Sequence, residues 1–71
     1  MTLREMREAR GLTQEDVARE LNRSKSTVSL YECGKASPRA KVLPRYAELL
    51  EVTVDELLRA AAQAEAAAEA I

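Results

Sequence analysis

Residues 14–32 carry the pattern that most restricts this chain: two short helices joined by a turn of only three residues, Asn22-Arg23-Ser24. Thr13 is a good N-cap for the first helix, predicted over Gln14 to Leu21, and Leu12 with Val17 occupies the positions of a hydrophobic staple. Val17, Ala18 and Leu21 form its inward stripe. Asn22 comes next, one of the few non-glycine residues that tolerate a left-handed backbone. Ser24 caps the second helix, predicted from Lys25 to about Glu32 and ended by Gly34. Ala18 is small enough to let the helices approach closely, and the β-branched Val28, ten residues later, fills the gap between them. On the second helix Val28 and Tyr31 share one face. Ser26, Ser29 and Leu30 lie on the opposite face, with Lys25 at its edge.

A small residue, a turn residue and a β-branched residue at these offsets meet the steric requirements of a helix-turn-helix. The rest of the chain is punctuated the same way. Thr2-x-x-Glu5 and Thr53-x-x-Glu56 are capping boxes, with Met1/Met6 and Val52/Leu57 at staple positions. They start a first helix, Leu3 to Arg10 with Gly11 as its stop, and a fifth that runs into an alanine-rich tail as far as residue 70. Pro44 suits the first turn of a fourth helix with Tyr46, Leu49 and Leu50 inward, preceded by a short helical turn at Arg39–Val42. Tyr31 and Tyr46 are expected in the core with their hydroxyls reaching the surface. Glycine and proline number two each and no stretch alternates apolar with polar, so the expected class is all-α, five short helices around one core.

The charges are sorted along the chain. Residues 1–45 hold ten basic and six acidic side chains, a net of +4, and residues 46–71 hold one and six, a net of −5. Within 23–45, Arg23, Lys25, Lys35, Arg39, Lys41 and Arg45 stand against Glu32 alone. That local excess favours a phosphate-bearing partner despite a pI near 5.4. With no histidine and a single cysteine, a histidine acid/base pair, a catalytic triad, a histidine-ligated zinc and an internal disulfide are excluded. The expectation is a soluble cytoplasmic module without enzymatic activity, cofactor, metal, membrane span or signal peptide.

Leu12-Thr13-Gln14-Glu15-Asp16-Val17-Ala18, then Ser24-Lys25-Ser26-Thr27-Val28-Ser29-Leu30-Tyr31-Glu32-Cys33-Gly34-Lys35, resembles the lambda-repressor-like (Cro-type, XRE) helix-turn-helix family. Pro38 and Val52-Thr53-Val54-Asp55-Glu56-Leu57 fall where that family places its loop proline and the start of its fifth helix, so the likeness covers residues 3–58 without a gap. The resemblance implies a five-helix domain that binds double-stranded DNA, acting as a homodimeric repressor on a near-palindromic operator with its third helix in the major groove. The family's base-reading positions fall on Lys25, Ser26 and Leu30, with Ser29 between them; its phosphate positions fall on Gln14 and Lys35. Charge adds Arg39 and Lys41 to the phosphate set. Arg7 and Glu32 match a partly buried ion pair between helices 1 and 3. Three residues depart from the pattern: Asn22 for a common glycine, Arg23 for a common apolar residue, which turns its charge toward phosphate, and Cys33 for a polar residue. Cys33 reads as a passive, half-exposed small residue, the alternative being a redox-sensitive thiol close to DNA.

The tail repeats Val54, Leu57, Ala61, Ala64, Ala68 and Ile71 at heptad spacing. That seam suggests a domain over residues 1–58 and a helical extension over 59–71 that pairs with a second copy through Leu57, Leu58, Ala61 and Ala64. The same alanines also suit a helix that lengthens alone, because alanine has high propensity and little area to bury. The rival reading is an antitoxin or other interaction module whose acidic C-terminal helix grips a partner protein.

Overall fold

A computed structural model describes residues 1–69 as five helices: α1 (Leu3–Ala9), α2 (Gln14–Leu21), α3 (Lys25–Cys33), α4 (Leu43–Leu50) and α5 (Val54–Glu69). Ala70 and Ile71, the expected ends of the fifth helix and of the heptad seam, lie outside the described residues. Each start follows from its cap. Thr2 and Thr13 accept from the backbone N–H of Glu5 and Asp16, whose carboxylates accept in return from the cap N–H, closing two full boxes. The third box joins Thr53 and Glu56, and Ser24 caps α3 by accepting from the Thr27 N–H. α4 is the outlier: Val42 precedes it in right-handed helical conformation with no side-chain cap, so its start relies on Pro44 and on the turn that Val42 and Leu43 close onto the Arg39 carbonyl.

The helix ends show one feature that the sequence did not signal. Asn22 takes the left-handed conformation (φ 55°), as expected, but so does Glu51 at the end of α4 (φ 56°). An ion pair to Arg10 and a hydrogen bond from the Val52 N–H to the Ala47 carbonyl accompany that unfavourable backbone.

Leu3, Val17, Val28, Tyr46 and Leu57 form the centre of the core, each with under 2% of its surface exposed. One expectation fails there. Tyr46 is buried to its tip: its hydroxyl does not reach the surface and has no hydrogen-bond partner, because the ring packs 5.9 Å from Tyr31 deep in the core. Met1, 69% exposed, lines one groove with buried Met6.

The heptad seam is the larger correction. Leu57 and Ala61 pack inside the domain's own core together with Ala60, so neither is free to meet a second chain. Further along, the backbone of α5 lies against the end of α3 at Gly34, and a Cβ built on that glycine would overlap the Ala64 carbonyl. The core therefore runs past residue 58.

Candidate nucleic-acid interface

α3 buries Val28 and Tyr31 in the core and turns Glu32 back against α1, and presents the rest of its surface outward. Lys25, Ser26 and Leu30 are exposed and Ser29 is half-buried. Gln14, Lys25, Ser26, Ser29 and Leu30 line one groove beside this helix. Arg23, Thr27, Leu30, Ser37 and Arg39 belong to another. Leu30 is common to both, so α3 stands as a ridge between them.

A helix with so small a buried face needs holding from outside. The Arg7 guanidinium forks onto Glu32, Nε to Oε2 at 2.6 Å and Nη2 to Oε1 at 3.3 Å, while its Nη1 donates to the Leu12 carbonyl at 2.9 Å. Both side chains are nearly buried, at 11% and 7% exposure, and the bond to Glu32 raises the arginine pKa above its ordinary value. The Gln14 amide donates to the same carboxylate at 3.0 Å. One carboxylate thus ties α1 and the start of α2 to α3. At the far end Gly34 takes the left-handed conformation and the Lys35 N–H donates to the Leu30 carbonyl.

These contacts alter one assignment. Gln14 commits one of its two amide hydrogens to Glu32 instead of holding the whole amide out toward a phosphate. What α2 still presents is its N-terminus, where backbone N–H groups lack intrahelical partners.

The structure also sorts the cations. Arg4 pairs with Glu8, Arg10 with Glu51, Arg19 with Asp16 and Arg59 with Asp55. Arg45 is held by Glu20 and Glu48, which removes it from the basic segment of residues 23–45. Lys25 is paired too, its Nζ lying 3.3 Å from Glu15 Oε2. Among the described residues, Arg23, Lys35, Arg39 and Lys41 are the cations without a carboxylate within 4 Å. All four follow or flank α3 in the chain, and all are exposed. Sequence reasoning missed Glu15. The only available signal was its offset of ten from Lys25, the same offset that sets Ala18 against Val28.

Cys33 is exposed, and its thiol donates to the Ser29 carbonyl at 2.9 Å. Among the described residues no group of three metal-ligating side chains comes together, and no helix is long and apolar enough to cross a membrane.

A family model described as a helix-turn-helix domain matches residues 1–61. The HTH-type transcriptional activator BcrR of Enterococcus faecalis is 38% identical over 56 residues, which cover 79% of this chain and 28% of that protein. The chain therefore spans well under half the length of the curated relative it matches. No solved structure matches it.

Proposed function

Since this chain belongs to the helix-turn-helix family of the lambda-repressor-like type, we propose that it binds double-stranded DNA in a sequence-dependent way and regulates transcription, with α3 entering the major groove. The observation that carries this reading is the set of exposed cations without a carboxylate partner, Arg23, Lys35, Arg39 and Lys41, around a ridge of Lys25, Ser26, Ser29 and Leu30. A cation already neutralised by a carboxylate adds little to phosphate attraction, whereas these four each displace counterions on docking. On the ridge, the Lys25 ammonium donates to guanine O6 or N7, the serines donate or accept, and Leu30 meets a thymine methyl. The N-terminus of α2, with Gln14 at its first position, approaches a phosphate through its backbone. The family points to a non-enzymatic role, and the compartment that suits the task is the one that holds the DNA, the cytoplasm.

The protein acts as a homodimer on a near-palindromic operator in this proposal, and the surface for the second copy is revised. Leu57 and Ala61 being core, Leu58 (46% exposed) and Val54 (38%) on the outer side of α5 take their place. Occupancy of a promoter gives repression. The relative named an activator favours a second reading, in which bound protein recruits polymerase; a reporter carrying the operator separates the two by the sign of the change.

Selection of sites from a random duplex library, followed by a salt titration on the winner, tests the proposal. With roughly 3–5 phosphates contacted per subunit, log K against log[salt] should slope by about −5 to −9 for a dimer. A flat response overturns it. Lys25→Ala should cost about 1–3 kcal/mol on the selected duplex and relax the preference at one base pair per half-site, whereas Lys35→Ala should weaken all duplexes alike.

A further inference from the structure

We infer that Glu15 is a positioning residue for sequence reading: its carboxylate holds the Lys25 ammonium at the groove beside α3, so that this lysine meets a base edge instead of a phosphate. The inference rests on the DNA-binding reading above and adds a residue to its specificity.

Lys25 is the first residue of α3, where the positive end of the helix dipole disfavours a cation. A lysine placed there, on a flexible four-carbon stem, swings away toward the nearest negative charge. On a duplex the nearest negative charge is a phosphate, present in every sequence and carrying no information. Glu15 supplies a competing charge from within the fold. It is the second residue of α2, where the helix end and its own backbone N–H favour the ionised form and Lys25 lowers its pKa further. The ammonium has three donors. It lies 3.3 Å from Glu15 Oε2 as an ion pair, and at least two of those donors remain for an acceptor pair such as guanine O6 and N7. Gln14, the neighbour that also lines this groove, carries no full charge to compete for the ammonium, and its amide N–H is bonded to Glu32. The pair is about 60% exposed on both sides, so solvent screens it and it contributes little to stability; its effect is on where the ammonium goes.

The test is a cycle of Glu15→Gln, Lys25→Ala and the double variant, each titrated at one fixed salt concentration on the library-selected duplex and on a scrambled duplex of equal length. Glu15→Gln should tighten binding to the scrambled duplex and cut the ratio between the two by about fivefold or more, the lower end of what one base-pair contact discriminates. In the Lys25→Ala background the same substitution should move both duplexes by one factor, leaving the ratio where Lys25→Ala set it. Melting temperatures should not change. If Glu15→Gln tightens both duplexes equally with Lys25 present, Glu15 is a repulsive charge only and the inference falls while the DNA-binding reading stands. If the unsubstituted protein does not distinguish the two duplexes, both fall.

Discussion

α3 and α5 pack against each other yet meet opposite demands. α3 gives Val28 and Tyr31 to the core, turns Glu32 onto Arg7 and presents its other side chains outward, with Arg23 before it and Lys35 after it left without carboxylate partners. α5 gives Leu57, Ala60 and Ala61 to the core, pairs its one arginine with Asp55, and lays its backbone against Gly34. A helix that must offer a face to a ligand cannot be anchored by that face. Its rigidity comes from the Arg7 fork and Gln14 on one side and from α5 behind. The contrast teaches that the alanine-rich segment is support for α3, where its spacing suggested a seam for another chain.

The sharpest way to break this division is at Gly34. Gly34→Ala combines a left-handed backbone with a Cβ driven into the main chain of α5 and should cost about 3 kcal/mol or more. Gly11→Ala is the control: φ is +69° there with nothing within 4 Å, and the cost should be about 1 kcal/mol. Denaturant melts that gave equal costs would mean that α5 does not back α3.

Arg7→Ala follows, at about 2–4 kcal/mol, because it strands a nearly buried carboxylate on α3. Melts of Arg7→Ala, Glu32→Gln and the double variant should be strongly non-additive, and additive losses would mean that the fork does not hold the helix. Truncation after Arg59 comes next. The sequence suggested that all core residues precede that point, but Ala60 and Ala61 are buried beyond it. The shortened chain should lose about 1–3 kcal/mol, and sedimentation should show Leu58 still supporting self-association. A melt unchanged by truncation would restore the tail as an independent extension.

The smallest effect belongs to Tyr46. Removing its orphan hydroxyl with Tyr46→Phe should raise stability by about 1 kcal/mol at neutral pH, since a buried polar group without a partner costs that much or more. Burial pushes the Tyr46 phenol pKa up from its ordinary value near 10, the Glu32 charge adding to the effect. A raised folded-state pKa means that this group's stability is intact below about pH 10 and is lost above it, as the unfolded chain ionises first. The phenylalanine variant should therefore lose less stability than the unsubstituted protein between pH 9 and 11 in a series of melts.

Local chemistry was well written in the sequence. Thr2, Thr13, Ser24 and Thr53 start the helices assigned to them, and the inward Val28 and Tyr31 fixed which face of α3 looks out. Periodicity says that a face is covered, not by what. Leu57 and Ala61 therefore suggested a partner chain, whereas the covering surface is the domain itself. Glu51 left no trace because glutamate is not a residue that announces a left-handed turn. Beside the local Glu48 on Arg45, the carboxylates that pair with Arg45 and Lys25 from another element both come from α2, Glu20 and Glu15. Such pairings depend on how helices cross, which charge counts along the chain do not encode.

The meeting of Gly34 with Ala64 has a consequence for how this sequence tolerates drift. On one side the contact depends on the lack of a side chain; on the other it is made by a peptide carbonyl and the next peptide nitrogen, which nearly every residue type would supply. Selection for the contact therefore falls almost wholly on position 34. Position 64 changes identity without altering the atoms that touch, so the two positions leave no correlated record of their contact in descendant sequences, however close they lie.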